Sequence, residues 1–253
     1  MAQLLPVSKE RHGGKYWKRY DSYAFARGQL LAPMVAAEIP KAALTMPLAF
    51  VQHGDRYLLI GMLSLSSRQN LFVLPDGKWG GGYVPSAFRS YPFRLAKAEG
   101  QKQLILCVDE DSGLIVDDKN TGEPFFDDSG KTSKPLQEVV NFLEAMEKSR
   151  KMTDVAVSLL AGAGVLAPWS IETGGKKLEG LYRTDEAALQ KIDDGVFLKL
   201  RKAGALALAY SQLLSMGNLA VLERLAAIQE KIVRKEAPKP RISTDGEYIR
   251  FDQ

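Results

Sequence analysis

The hydrophobic period of the chain changes near Gly130, and this change limits the available folds more than any other feature. Before it, short apolar stretches are punctuated by Pro, Gly and Asp, which is typical of strands and turns. After it, apolar residues recur at the i, i+3, i+4 and i+7 spacing of one helix face: Leu136, Val139, Val140 and Leu143. The sequence therefore predicts an α+β fold, with a β-rich N-terminal half and a mainly helical C-terminal half packed on it.

The first half contains predicted strands and two short predicted helices. The strands are residues 47–52 and 57–62, which form a hairpin around 53–56, residues 71–74, which return through a turn at 75–77, and residues 103–109. The helices are residues 36–44 and 85–90, the second of them stopped by Pro92. These short elements predict that the first half is predominantly β.

The second half is predicted to be a series of helices interrupted by one hairpin. A helix begins near Pro135, and Thr153 and Asp154 are suited to cap a separate helix that ends at Gly162. Strands 165–167 and 178–182 flank Gly174 and Gly175 as a small hairpin. Further helices are predicted from Thr184 and over residues 196–200, 206–216 and 219–232.

We predict one domain over residues 1–234, β-rich over 1–130 and mainly helical over 131–234, followed by a tail. The tail, residues 235–253, contains Pro238 and Pro240 in a linker-like composition and a possible hairpin around Asp245 and Gly246. Its docking site could be the protein's own body or a partner.

Composition excludes several classes of function. The net charge of +4 is scattered along the chain, so nucleic acid is not an expected partner. The single cysteine, Cys107, lies in an apolar run and is predicted to be buried. Residues 1–7 lack the features of a cleavable signal peptide. Two uncharged runs, 155–171 and 203–222, contain Gly, Pro or amide residues, and we predict no transmembrane segment.

Three motifs resemble known sites but lack the necessary context. Gly130-Lys-Thr132 lacks the earlier glycine of a phosphate-binding loop. Gly162-Ala-Gly-Val-Leu-Ala167 matches a dinucleotide pattern, but Pro168 and Trp169 follow it, so a helix end before a strand is the better interpretation. His53 and Asp55 have the spacing of two iron ligands, but a hairpin turn explains them better. No cofactor and no metal site are predicted.

Residues 70–93 hold the densest combination of aromatic, Gly, Pro and Arg residues in the chain. Aromatic faces and arginine are common binding anchors. We therefore predict that Trp79, Tyr83, Arg89 and Tyr91 line one recessed surface and, with Asn70, bind a ligand.

Carboxylates are the remaining candidates for catalysis. Glu38, Asp109 and Glu110 lie within or beside the β half and are weak candidates for acid or base roles. Glycosidase-type chemistry would place two such groups in one cleft, about 5 to 10 Å apart. The competing interpretation is that Asp109 and Glu110 simply end a strand.

Several segments of the chain together resemble the bacterial SapC family. They include Asp76-Gly-Lys-Trp79 and Arg89-Ser-Tyr-Pro-Phe93, with further matches at 33–40, 47–50, 70–73, 83–85, 108–110 and 125–127. The family usually carries two arginines before Tyr-Pro-Phe, whereas here Ser90 replaces the second, which weakens any paired-arginine anion clamp.

The resemblance implies a SapC-like domain over residues 1–234 and an association with the bacterial surface, since the family takes its name from a surface-layer gene cluster. We therefore expect an accessory or binding protein of surface-layer or cell-envelope biogenesis, in the cytoplasm or peripheral to the envelope. Its partners would be surface-layer or envelope proteins or a small-molecule ligand. The alternative is a carboxylate-dependent enzyme acting on a glycan, peptide or small metabolite.

Overall fold

The structure, a computed structural model, describes residues 4–66, 69–97, 103–173 and 175–236. Its strands are β1 Leu4–Pro6, β2 Tyr16–Trp17, β3 Leu31–Pro33, β4 Leu48–His53, β5 Arg56–Met62, β6 Phe93–Lys97, β7 Leu104–Asp109, β8 Ile115–Val116, β9 Glu123–Pro124, β10 Leu166–Thr173 and β11 Lys176–Thr184. Its α-helices are α1 Lys9–His12, α2 Ile39–Ala42, α3 Ser86–Arg89, α4 Lys134–Gly162, α5 Glu186–Leu189, α6 Asp194–Lys202, α7 Ala205–Ser215 and α8 Leu219–Glu236. The predicted α+β class is confirmed, with sheets in the N-terminal half and helices in the C-terminal half.

The largest sheet among the described residues has five antiparallel strands in the order β10, β11, β4, β5, β3. The predicted hairpin of β4 and β5 is confirmed, and it turns at Gly54, whose φ of +57° suits glycine. Three successive residues of β4, Leu48, Ala49 and Phe50, are fully buried. Because successive side chains of a strand point to opposite faces, both faces of the sheet are covered at β4.

The hairpin predicted around Gly174 and Gly175 is confirmed as β10 and β11, with residue 174 itself outside the described residues. Its strand β11 pairs with β4, Leu181 opposite Val51 and Tyr182 opposite Phe50. The C-terminal half therefore completes a sheet that begins in the N-terminal half.

Helix α4 differs from its prediction, because it runs unbroken through Thr153 and Asp154. The Thr153 hydroxyl donates to the Ser149 carbonyl at 2.8 Å and accepts the Ala36 N–H at 2.7 Å, so it does not cap a new helix. Asp154 pairs with Arg150 one turn earlier. The predicted break at these residues was wrong, because both side chains found partners that leave the helix intact.

Helix α4 connects two hydrophobic cores. Its C-terminal half places Val157 and Leu160 in the large core beneath the five-stranded sheet. Its first turns place Leu136 in a second core with Trp17, Phe93, Val108 and Phe125. This smaller core is enclosed by the sheet of order β1, β7, β6 and by the ribbon of order β8, β2, β9. A helix of 29 residues is about 43 Å long, which is enough to reach both.

Several smaller predictions are also confirmed. Cys107 is 3% exposed. Gly164 has φ of +68° and follows the end of α4, so the 162–167 motif is a helix end before β10. Asp185 caps α5 by accepting the Ala188 N–H. Residues 237–253 of the predicted tail lie outside the described residues, and 235–236 end α8.

Within the described residues, the helical stretch Ala205–Ile232 is long and apolar enough to cross a membrane, since it contains an 18-residue window with a mean hydropathy of 1.4. Length and composition alone are weak evidence for a membrane-spanning helix, since buried core helices can be equally long and apolar. In this stretch the buried Gln212 donates to the Leu48 carbonyl and accepts the Thr184 N–H, which fixes α7 to the sheet. The absence of a transmembrane segment stays a prediction.

Candidate functional site

Asn70 holds the start of the 70–93 segment against the rest of the protein. Its side chain is fully buried. The amide nitrogen donates to the Ala26 carbonyl at 3.2 Å, and the amide oxygen accepts the Phe72 N–H at 2.9 Å. Both ends of the amide are thus engaged by backbone, which is a structural use of the residue.

Trp79 fixes the next part of the segment. Its ring stacks on Phe72, with centroids 5.1 Å apart, and its indole N–H donates to the Tyr83 carbonyl at 2.8 Å. Gly81 lies beside this pair, and a Cβ at that position would approach the Phe72 ring to 2.5 Å. The glycine therefore permits the close packing that carries the chain from Trp79 to Tyr83.

Glu38 is a buried carboxylate, 2% exposed, at the end of the short 3-10 helix Ala36–Glu38. Its Oε1 accepts from the Ser86 N–H at 2.6 Å and from the Tyr83 hydroxyl at 2.9 Å. Its Oε2 accepts from the Ser86 hydroxyl at 2.7 Å and from the Val35 N–H at 3.1 Å. Two carboxylate oxygens offer about four lone-pair sites, so these four donors saturate the group.

Tyr83 connects this buried carboxylate to the surface. Its hydroxyl donates to Glu38 and accepts from Nη2 of Arg89 at 3.1 Å. Desolvation, followed by the negative charge of Glu38, raises the pKa of Tyr83 well above its usual range. The hydroxyl therefore keeps its proton at neutral pH and remains a donor.

Arg89, the last residue of α3, lies on the outer side of Tyr83. Its guanidinium carbon is 5.5 Å from the centroid of the Tyr83 ring and 5.0 Å from that of Phe142 on α4. The side chain is exposed, and no carboxylate of the described residues lies within 4.0 Å of it. Two aromatic rings thus orient a guanidinium whose charge is not paired.

Arg89 lines a cleft of about 410 Å³, which we call the aromatic cleft. Its wall combines tyrosine, phenylalanine and tryptophan rings with two arginines and one glutamate. The lining residues are Trp17, Arg19, Tyr20, Tyr23, Arg89, Ser90, Tyr91, Phe93, Glu138, Val139 and Phe142. Both its volume and its mixture of rings and few charges are typical of small-molecule sites.

The rings of the cleft are packed on one another. Tyr91 stacks on Phe25 with centroids 3.9 Å apart, and Tyr20 meets Tyr23 edge to face at 5.2 Å. Desolvation, followed by neighbouring Tyr23, raises the pKa of Tyr20, and desolvation, followed by Asp109, raises that of Tyr91. Their hydroxyls are therefore neutral donors and acceptors at physiological pH.

The two arginines of the cleft differ in their pairing. Arg19 donates to Glu123 through Nε at 2.8 Å and through Nη2 at 3.4 Å. These bonds and the charge of Glu123, together with a smaller effect of Glu138, raise the pKa of Arg19. Arg89 has no such partner among the described residues. The cleft thus has one compensated and one uncompensated positive charge.

Trp17 also has an unused donor. Its ring lines the cleft, and its Nε1 is buried without a hydrogen-bond partner among the described residues. Buried hydrogen-bond donors without a partner are uncommon in folded proteins.

An apolar groove of about 350 Å³ adjoins the cleft and shares Ser90 and Phe142 with it. Leu31, Leu143 and Met146 line it, and Arg94 and Arg150 are its basic residues. Arg150 is paired with Glu147 and Asp154.

The five predicted ligand-binding residues are placed differently. Arg89 and Tyr91 line the aromatic cleft. Tyr83 lies behind Arg89, and Trp79 lies behind Tyr23, with ring centroids 5.5 Å apart. Asn70 is bound to backbone elsewhere. A ligand-binding role for the five stays a prediction.

The three candidate catalytic carboxylates are each engaged by different partners. Glu38 is saturated by neutral donors, as described above. The Asp109 carboxylate accepts the Asp111 N–H at 3.2 Å and lies 3.4 Å from the Tyr91 hydroxyl. Glu110 is held by Arg11 and His12. Neither the aromatic cleft nor the apolar groove is lined by any of them.

Glu110 belongs to an ion pair that fastens α1 to the end of β7. Arg11 Nε and Nη2 donate to its two oxygens at 2.5 and 2.8 Å, and Nε2 of His12 lies 3.1 Å away. The hydrogen bonds and charge of Arg11 lower the pKa of Glu110 to about 2. Burial lowers the pKa of His12, whose Nδ1 accepts the Ser8 N–H in the neutral tautomer.

Sequence reasoning missed much of the cleft wall. Tyr20 and Tyr23 come from the N-terminal segment, and Glu138 and Phe142 come from α4. The aromatic-rich run from Tyr16 to Phe25 was a usable signal for the first pair. No comparable signal marked the α4 residues, since they lie one turn apart on an ordinary helix face.

No group of three or more His, Cys, Asp and Glu side chains suited to a metal ion occurs in the part of the chain that the structure describes.

Comparison with known proteins agrees with the resemblance noted from the motifs. No curated protein and no solved structure matches this chain. The SapC family model matches residues 7–222, which include the whole aromatic cleft, the smaller core and the buried residues of the large core other than Leu225. Since the match covers well over half of the sequence, the chain belongs to the SapC family.

Proposed function

We propose that this protein is a non-enzymatic accessory protein of bacterial surface-layer or cell-envelope biogenesis that binds a small ligand in the aromatic cleft. One observation carries the binding proposal: an exposed guanidinium, oriented by two rings and unpaired among the described residues, faces a cleft walled by tyrosines. Arginine and aromatic side chains in a concave site are frequent anchors for ligands.

A further observation supports binding over catalysis. The candidate carboxylates Glu38, Asp109 and Glu110 are held by protein groups and do not line the cleft. The surface-layer or envelope role rests on membership of the SapC family.

Native mass spectrometry of protein purified from its own host tests the binding proposal. We expect the wild-type protein to carry a small molecule that Tyr91→Ala loses, because Tyr91 lines the cleft. Tyr210→Ala, which removes an exposed ring of α7, is the matched control and should retain it. A wild-type protein without bound mass, or a ligand kept equally by Tyr91→Ala, would contradict ligand binding in the cleft.

The envelope role is tested separately by fractionating host cells and by deleting the gene. We expect the protein to co-fractionate with envelope or surface-layer components and the deletion to change the surface layer. A protein found wholly apart from the envelope, with an unchanged surface in the deletion strain, would contradict this part of the proposal.

A further inference from the structure

The charges of the aromatic cleft are unevenly distributed. Arg89 stands over Phe142 with its charge unpaired among the described residues. Arg19 is bound to Glu123, and the charge of Glu138 also acts on it. Arg89 is therefore the lining residue that favours an anion, and Glu138 is the one that favours hydrogen-bond donors.

The number of unpaired charges limits the charge of the ligand. A single uncompensated guanidinium matches a monoanion. Arg19 is already bound to Glu123, so a phosphate dianion would meet one unpaired guanidinium with two negative charges. A guanidinium binds a carboxylate or a phosphate through two N–H groups, so the geometry alone does not separate the two. The charge count therefore makes the cleft better suited to a carboxylate than to a phosphate dianion.

Most of the remaining lining of the cleft is aromatic. Tyr20, Tyr23 and Tyr91 contribute ring surface, while the hydroxyl of Tyr91 is directed to Asp109. Aromatic faces pack well against a flat six-membered ring, and phenolic hydroxyls exchange hydrogen bonds with ring substituents. A volume of about 410 Å³ accommodates one such ring with its substituents.

From these features we infer that the ligand is a ring-bearing monocarboxylate with hydroxyl donors, the chemistry of a hexuronic acid. Arg89 binds the carboxylate, the tyrosines contact the ring, and Glu138 accepts hydrogen bonds from its hydroxyls. This inference rests on the proposed ligand-binding function and specifies the ligand class for the same cleft.

Calorimetric titration with defined probes tests the inference. D-glucuronate should bind roughly tenfold or more tightly than D-glucose, the ratio expected for one charge-assisted hydrogen bond. Inorganic phosphate, which has charge but no ring, should bind weakly. Arg89→Gln should bring glucuronate to the affinity of glucose, while Arg56→Gln, at an exposed arginine that lines neither the cleft nor the adjoining groove, should leave the preference unchanged.

The outcomes separate this inference from the proposed function. Equal binding of glucose and glucuronate, or a preference that survives Arg89→Gln, overturns the carboxylate assignment while ligand binding stands. If neither sugar binds, the molecule carried by host-purified protein decides: a ring-bearing carboxylate supports the inference, and a neutral molecule overturns it. No probe binding and no molecule carried by the host protein would contradict both. Circular dichroism of each variant confirms that it is folded.

Discussion

The Tyr83 hydroxyl lies between the Glu38 carboxylate and the Arg89 guanidinium, and the two groups differ in how many hydrogen bonds the protein gives them. On the inner side, Glu38 is buried and receives four neutral donors from three residues. On the outer side, Arg89 is exposed, contacts two rings and has no carboxylate partner among the described residues. The Tyr83 hydroxyl thus connects Glu38, whose hydrogen-bonding capacity is filled, to Arg89, whose capacity is not.

This difference separates structure from recognition. A saturated buried carboxylate has no lone pair left for a substrate, so Glu38 is suited to hold the 35–38 turn against α3. An oriented guanidinium with unused N–H groups is suited to meet an anion from outside. The interior bonds fix Tyr83, and Tyr83 in turn fixes Arg89 at the cleft.

Removal of the Glu38 carboxylate should reduce the free energy of unfolding more than any other change proposed below. Glu38→Ala leaves the donors of Val35, Tyr83 and Ser86 without their acceptor, and each buried unsatisfied group is costly. We expect a loss of about 3–5 kcal/mol in the free energy of unfolding, as for other broken buried charge networks. Urea denaturation followed by circular dichroism measures it.

Glu144→Ala is the control for this change, because it removes an exposed carboxylate from the middle of α4. It should alter the free energy of unfolding by less than about 0.5 kcal/mol. A Glu38→Ala protein as stable as Glu144→Ala would refute the role given to the four hydrogen bonds.

Acid should weaken the ion pair that Glu110 makes with Arg11. The folded-state pKa of Glu110 is lowered from 4.5 to about 2, so its stabilisation is present above pH 4.5 and is lost as the pH falls toward 2. The pKa of His12 is lowered from 6.5, so the unfolded chain binds a proton that the folded protein excludes as the pH falls below 6.5. Both effects reduce stability in acid.

Urea midpoints measured from pH 7 to pH 2 check this expectation. Glu110→Gln should flatten the part of the profile below pH 4.5 and leave the decline that begins near pH 6.5. Glu10→Gln, an exposed neighbour on α1, should keep the wild-type profile. A Glu110→Gln profile parallel to the wild type would show that the ion pair with Arg11 does not govern the acid limb.

Tyr83→Phe should have an intermediate effect on the free energy of unfolding, because it removes the hydroxyl that connects Glu38 to Arg89. Glu38 would keep three of its four donors, and Arg89 would keep its ring contacts. We expect a loss of about 1–2 kcal/mol in the free energy of unfolding, the usual range for one hydrogen bond to a charged group. Thermal denaturation measures it, and Tyr210→Phe, at an exposed position, is the control. A loss equal to that of Glu38→Ala would show that Tyr83 is a larger part of the buried network than its single bond indicates.

The sequence predicted local elements better than the contacts between them. The hairpin of β4 and β5, the helix α3 and the end of α4 just before Gly164 follow from turn chemistry and hydrophobic period, which act over a few residues. The addition of β11 to β4 joins strands about 130 positions apart, and no local pattern specifies that pairing. For the same reason, α4 continued through Thr153 because its partner was the distant Ala36.

The same difference between local patterns and long-range contacts applies to the candidate site. Residues 70–93 were recognised by composition, and Arg89 and Tyr91 from that segment do line the cleft. Other lining residues are Tyr20 and Tyr23 near one end of the sequence and Phe142 on α4, which only tertiary structure brings together. Sequence composition could therefore indicate only part of the cleft, and the pairing of its charges needed the fold.

Arg89→Gln should have the smallest effect on stability, although it removes a full charge. Its contacts are one hydrogen bond to Tyr83 and two ring contacts at an exposed position, worth about 0.5–1 kcal/mol together. The free energy of unfolding should therefore change less than in Tyr83→Phe, and Arg89→Lys, which keeps the charge without the planar fork, should change it no more. Parallel urea titrations of the three variants measure the order. If Arg89→Gln unfolded as easily as Glu38→Ala, the outer charge would be a structural group like the inner one, and the distinction between the two sides of Tyr83 would fail.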